Sequence, residues 1–191
     1  MFYRFVRAVG WVVMHLFFRF RITGLENIPK EGAFLLCANH ISAFDPIVLA
    51  VFTKRQLRFM AKKELFKRRL FSWFLRSMGA FPIDRKAAAD MQAYRTSMEL
   101  LKNGEGMIIF SQGTRMKDFD NAKGGVALFA LKSGAPIIPT GIWSKYRFMS
   151  KIHINVGSAI SMDEHEGKKV KTELIEEVMS TVIERVSQLT K

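Results

Sequence analysis

The chain has 191 residues, 49% of them apolar, and a formal net charge of +13. That length supports one domain with a sizeable core and not two, and the apolar share excludes intrinsic disorder. The charge calls for an anionic partner, nucleic acid or a lipid surface, and 17 Phe and 11 Met beside three Tyr favour lipid.

Residues 1–20 read as an N-terminal helix and residues 21–191 as the domain proper. No run of about 20 apolar residues is present, so no ordinary membrane span is expected. Arg4 and Arg7 precede the apolar stretch Val12 to Phe18, and Arg19 and Arg21 follow it at once. His15 interrupts that stretch and no small-residue cleavage site follows, so a signal peptide is not expected either. At helical spacing Phe2, Val6, Val13, Leu16 and Phe17 share a broad face, with Trp11 near its edge. The reading is an amphipathic, membrane-associating helix. A helix packed on the core is the alternative, and one helix can do both.

Beyond it the pattern alternates. Strands are expected at Phe20 to Gly24, Ala33 to Ala38, Leu57 to Ala61, Ala80 to Ile83, Met107 to Phe110, Pro136 to Ile142 and Ile152 to Val156. Helices are expected at Pro46 to Thr53, Glu64 to Ser77, Ala87 to Lys102, Val126 to Lys132 and Lys168 to Leu189. The Pro inside Pro136 to Ile142 predicts an edge strand or an interrupted ladder. The last helix carries the stripe Val170, Leu174, Val178, Val182, Val186 and Leu189. This predicts a single α/β domain with a central mixed sheet flanked by helices. The one cysteine, Cys37, lies in an apolar run and reads as a buried structural thiol, consistent with a reducing compartment.

In such a domain the loops leaving the carboxyl ends of strands are where chemistry is expected. Three of them stand out. Asn39-His40-Ile41-Ser42-Ala43-Phe44-Asp45 follows a strand and opens a helix at Asp45-Pro46, with Asp45 as N-cap and Pro46 at the first helical position. A tight turn there can set the Asp45 carboxylate on one nitrogen of His40, which fixes the tautomer and leaves a general base aimed outward. The other reading is a plain cap beside an ordinary polar histidine. No Ser or Cys nucleophile accompanies the pair, so a substrate alcohol would have to supply one. The second loop ends in Asp84-Arg85. The third, Phe110-Ser111-Gln112-Gly113-Thr114-Arg115, offers backbone N–H groups, a hydroxyl and a guanidinium suited to phosphate. Lys123 with Gly124-Gly125 then opens the next helix, whose N-terminus also favours an anion.

With these blocks in order, the chain resembles the lysophosphatidic acid acyltransferases (1-acyl-sn-glycerol-3-phosphate acyltransferases) of the glycerolipid acyltransferase superfamily. Asn39-His40 to Asp45 matches the NHxxxxD block, Gly79 to Arg85 the second, Phe110 to Arg115 the third, and Ala135-Pro136-Ile137-Ile138-Pro139 the fourth. The resemblance covers roughly residues 20 to 160. It implies that His40 deprotonates the free hydroxyl of lysophosphatidic acid, that Asp45 orients His40, and that the oxygen attacks an acyl thioester directly, giving phosphatidic acid. It implies that Arg115, with Thr114, Gly113, Lys123 and Arg85, holds the glycerol phosphate. Gly113 and nearby N–H groups are candidates for oxyanion stabilisation. No metal or bound cofactor is implied. The co-substrate would be a thioester of acyl carrier protein or coenzyme A, and the enzyme would sit on an anionic membrane surface, peripheral or monotopic, at the cytoplasmic face. Nucleic acid is not an expected partner, and oligomeric state stays open. The basic clusters Lys54-Arg55, Lys62-Lys63 and Lys67-Arg68-Arg69, interleaved with Phe66, Leu70, Phe71, Trp73 and Phe74, fit that surface.

One departure stands out: the third block has Ser111-Gln112 where the family normally has Pro-Glu. Three other readings compete. They are an acyltransferase for another acceptor such as glycerol 3-phosphate, a hydrolase, and a basic adaptor without catalysis. Against the hydrolase, no G-x-S-x-G motif is present.

Overall fold

The computed structural model describes residues 1–84, 86–87, 90–111 and 124–190. Seven strands form one mixed sheet: β1 (Arg19–Thr23), β2 (Phe34–Ala38), β3 (Leu57–Lys62), β4 (Ala80–Ile83), β5 (Gly106–Phe110), β6 (Ile137–Ser144) and β7 (Lys151–Val156). Their spatial order is β1-β7-β6-β2-β5-β3-β4. The run from β6 to β4 is parallel throughout. β7 pairs antiparallel with β6, and β1 pairs parallel with β7. The expected α/β domain with a mixed sheet is what the chain forms.

Helices cover both faces. α4 (Met91–Lys102), α5 (Gly125–Ser133) and α6 (Thr172–Leu189) bury Leu101, Val126, Phe129, Val178 and Val182 against Leu35, Cys37, Met107 and Ile137 of the sheet. On the other face α2 (Asp45–Phe52) buries Val48 and Leu49 against Phe34, Leu36, Ile108 and Ile138. β2 is buried at every position because it is covered on both sides, which is why it reads as an unbroken apolar run. Burial also pushes the Cys37 thiol up to about 12, so it packs as an inert small hydrophobe.

The N-terminal helix α1 (Phe2–Phe17) reaches this core only through Met14. Only Met14 of it is buried. It lies on α2, where the Arg7 guanidinium donates to Thr53 O at 2.8 Å and Tyr3 Oη to Ala50 O at 3.3 Å. At Gly10 the two helices approach so closely that a Cβ would stand 3.2 Å from Val51 Cγ2. Helix α1 stops at Phe17 and β1 starts at Arg19, so the helix is shorter than the residue 1–20 segment expected.

Three other expectations are corrected. The helix expected over Glu64 to Ser77 is two pieces, a 3-10 turn Lys63–Phe66 and α3 (Arg69–Ser77), because Arg68 takes an extended backbone between them. α4 begins at Met91, not Ala87, because the Asp90 carboxylate accepts from the N–H groups of Gln92 and Ala93 and fixes the start. α6 begins at Thr172, not Lys168. Of the two readings of the Pro in β6, an edge strand or an interrupted ladder, the second holds, and the strand is central. Pro139 is accommodated because its carbonyl accepts from Gly157 N on the β7 side, so its nitrogen faces that side too. There the ladder is interrupted between the Ile137–Ile160 bridge and the Thr140–Val156 pair.

Candidate active site

The parallel strands point their carboxyl ends at one edge of the sheet, and β2 sits there between β5 and β6, where the chain order reverses. This is the usual place for a ligand crevice in an α/β sheet. Ser111 N donates to Ala38 O at 2.8 Å, which holds the end of β5 against the end of β2. Asn39 does the same for β6: its amide donates to Ile142 O at 2.8 Å and accepts from Ile142 N at 2.7 Å. The loop that follows is therefore anchored on both sides before it reaches His40.

His40 Nδ1 and Asp45 Oδ2 are 2.8 Å apart. The same oxygen accepts from the backbone N–H groups of Ile41 and Ser42, each at 2.7 Å. Asp45 is thus not a helix cap as expected. Phe44 takes that position with no side-chain cap, and the Asp45 carboxylate folds back onto the turn before it. The carboxylate is fully buried, whereas the imidazole keeps 16% of its surface exposed. With Nδ1 engaged as donor to a carboxylate, Nε2 is left as the basic nitrogen. The imidazole stacks on Phe110 of β5, with ring centroids 4.2 Å apart, which fixes its plane.

A residue outside the expected set completes the constellation. Tyr146 Oη donates to Asp45 Oδ1. Burial, and then the bond to Asp45, raise the Tyr146 phenol above its ordinary range, so it stays a donor at neutral pH. Its only sequence signal is a polar aromatic residue two positions beyond the carboxyl end of a strand.

Of the other expected residues, Asp84 lies at the same edge of the sheet, at the end of β4. β4 is three strands from β2, about 14 Å at ordinary strand spacing. Lys63 at the end of β3 bonds the Asp84 carboxylate, and this contact, followed by the Lys86 N–H, holds the carboxyl below its usual range. Pro136 stands at the amino end of β6, at the opposite edge from His40, and its carbonyl accepts from Leu35 N at 2.9 Å. It supports the sheet and does not reach the dyad. Arg85, Gln112, Gly113, Thr114, Arg115 and Lys123 lie outside the described residues. Among the described residues no group of three or more His, Cys, Asp or Glu is placed to hold a metal ion.

A fully buried carboxylate holding a part-buried imidazole, with no Ser or Cys side chain bonded to that imidazole among the described residues, suits proton removal from a substrate alcohol. The Acyltransferase family profile matches residues 19–143. A 1-acyl-sn-glycerol-3-phosphate acyltransferase of Streptococcus pneumoniae is 33% identical over 205 residues, covering 100% of this chain and 75% of its own. Another, from Bacillus subtilis, is 33% identical over 138 residues, covering 72% of this chain and 69% of its own. The crystal structure of the 1-acyl-sn-glycerophosphate acyltransferase PlsC from Thermotoga maritima superposes with a TM-score of 0.74 at 28% identity, over 98% of this chain and 79% of that one. With the family match spanning most of the chain, the chain belongs to the Acyltransferase family, alongside the 1-acyl-sn-glycerol-3-phosphate acyltransferases, and is an O-acyltransferase.

Proposed function

We propose that the chain transfers a fatty acyl group from an acyl thioester to the sn-2 hydroxyl of 1-acyl-glycerol 3-phosphate, giving phosphatidic acid. The observation that carries the reading is the His40 Nδ1 to Asp45 Oδ2 bond, which leaves Nε2 as the nitrogen able to act as base. Nε2 takes the hydroxyl proton as the oxygen attacks the thioester carbonyl. The tetrahedral intermediate collapses with loss of the thiolate, and the imidazolium returns the proton to it. No acyl-enzyme forms. Asp45 stabilises the imidazolium while it lasts. The thioester is that of acyl carrier protein or coenzyme A.

The acceptor phosphate falls to Arg115 with Thr114, Gly113, Lys123 and Arg85. Supporting this, the chain enters residues 112–123 from Ser111, whose N–H is bonded to the end of β2 beside Asn39.

The enzyme works at the cytoplasmic face of the cell membrane, peripheral or monotopic, on an anionic surface. Supporting this, α1 leaves Phe5, Val9, Val12 and Leu16 exposed, and α3 leaves Leu70, Phe71 and Trp73 exposed beside Arg68 and Arg69. Phe2 packs on Trp73 with centroids 4.8 Å apart, which makes the two helices one surface. Among the described residues no helix is long and apolar enough to cross a membrane.

The deciding experiment follows acyl transfer to lysophosphatidic acid, glycerol 3-phosphate and other lysolipids, with each thioester, for wild type and His40→Ala. Phosphatidic acid from wild type and a loss of several orders of magnitude in the variant are expected. Equal rates in the two proteins, or free fatty acid as the main product, would overturn the reading.

A further inference from the structure

We infer that Tyr146 is a positioning residue of the dyad, fixing the Asp45 carboxylate through its hydroxyl and thereby setting the basicity of His40; this rests on the acyltransferase reading above. The argument begins with the accounting of the buried carboxylate. Oδ2 takes three donors: His40 Nδ1, Ile41 N and Ser42 N. Oδ1 has one partner among the described residues, the Tyr146 hydroxyl. Without it a charged oxygen would be buried and unpaired, and the carboxylate would be free to turn about its Cβ–Cγ bond.

The loop is built to deliver that hydroxyl. Tyr146 follows β6, which Asn39 clamps at Ile142. Its backbone sits at φ +46, in the left-handed region that a bulky residue avoids. Met149 in the same loop is at φ +57. Such backbone persists only where surroundings over-determine it, and it concentrates at functional sites. The surroundings here are specific. Tyr146 N donates to Ser144 Oγ at 3.0 Å, and Met149 N to Phe17 O at 2.7 Å. The Tyr146 ring packs on Phe44 and Phe18, with centroids 6.2 and 6.0 Å away. Among the described residues Asp45 is the charged group that faces the hydroxyl. The phenol therefore draws charge from the carboxylate that balances the imidazolium, and the strength of its bond tunes how tightly His40 holds the proton it takes.

The test compares wild type, Tyr146→Phe and a protein with 3-fluorotyrosine at position 146. Tyr146→Phe keeps the ring and its packing but loses the donor. Fluorination makes the phenol a stronger donor at nearly unchanged volume. For Tyr146→Phe the expected result is a kcat lower by roughly 10- to 100-fold, with acceptor KM within about twofold. The NMR titration midpoint of the His40 imidazole and the acid limb of the rate–pH profile move to higher pH. The fluorotyrosine protein moves the midpoint the opposite way. Unchanged midpoints in both proteins overturn the inference. So does a fall in kcat with an unmoved midpoint, which would mark Tyr146 as support for its loop alone. Should Tyr146→Phe fail to fold, the fluorotyrosine midpoint decides by itself. The titration is read on the resting protein, so it stands even if wild type fails to acylate lysophosphatidic acid.

Discussion

His40 Nδ1 lies 2.8 Å from Asp45 Oδ2, and the residues between strand and carboxylate, Asn39 to Phe44, are folded so that Asp45 also takes the N–H groups of Ile41 and Ser42. The carboxylate is thus an organiser of its own loop as well as a partner for the base. Asp45→Asn keeps the volume and removes the charge. Its amide must set an NH2 group either against those two backbone donors or against the Tyr146 hydroxyl. The acyl-transfer rate is expected to fall by roughly 10²–10⁴-fold, the usual range for losing a competent general base. Stability is expected to fall by about 1–3 kcal/mol, since buried donors lose their acceptor. Steady-state kinetics and thermal unfolding check both.

The His40–Asp45 pair was legible because both residues belong to one turn, where five positions of spacing limit what they can reach. The rest of that site was not. Tyr146 is 101 residues from Asp45, and their contact exists only because β6 lies beside β2. Nothing local announces such a neighbour. Asp45-Pro46 carries a sound helix-start signal, yet the cap was lost because donors from the preceding turn competed for the same carboxylate. Pro139 was read as a mark of an edge strand or an interrupted ladder, and it is the second: the strand is central, and the missing donor faces β7 where pairing breaks. For α1 the face of Phe2, Val6, Val13, Leu16 and Phe17 was the expected one. Phe2, Val13, Leu16 and Phe17 of it are exposed, and Phe5, Val9 and Val12 carry the exposed apolar surface further round the helix. A helix apolar on most of its circumference does not reveal which side docks, and here Arg7 decides it by reaching Thr53 O.

Arg115→Ala tests the phosphate half of the proposal. If the guanidinium binds the acceptor phosphate equally in ground and transition states, its loss raises the acceptor KM and leaves kcat nearly unchanged. A charge-assisted bond of this kind corresponds to a KM increase of roughly 10- to 100-fold. The KM for the acyl thioester is expected to stay the same. A fall in kcat alone would place Arg115 at the reacting centre instead.

Phe5 and Leu16 are 67% and 64% exposed on α1, three turns apart on its outward ridge. Neither takes part in the Gly10–Val51 approach or the Arg7–Thr53 bond that dock the helix. Phe5→Glu and Leu16→Glu should therefore leave the fold intact. Each removes an apolar side chain from the bilayer and adds a charge repelled by anionic lipid. Sedimentation with vesicles containing phosphatidylglycerol is expected to recover much less of either variant than of wild type. Activity on acceptor embedded in vesicles falls with it, while activity on a short-chain, water-soluble acceptor does not. Vesicle binding equal to wild type would remove α1 from the membrane surface.

Asp84 and Asp90 form a linked pair at the entry to α4. Asp90 Oδ2 accepts from Asp84 N at 2.7 Å, and its other oxygen caps the helix at Gln92 and Ala93. Both carboxyls are held below their ordinary value of 3.8: Asp90 first by the Asp84 N–H, Asp84 first by the Lys63 ammonium. A depressed folded-state value means that the unfolded chain takes up protons first as pH falls. The stabilisation is therefore fully present above the ordinary carboxylate range and is lost as pH drops through the lower folded-state values. Asp90→Asn can still cap, because asparagine suits that position. Its amide, however, must turn an NH2 towards the Asp84 N–H. The variant is expected to unfold at lower urea than wild type at pH 7, and the gap should close as pH falls below the ordinary carboxylate range. Urea unfolding of both proteins across that range checks it, and a gap that stays constant with pH would mean that the Asp90 charge plays no part.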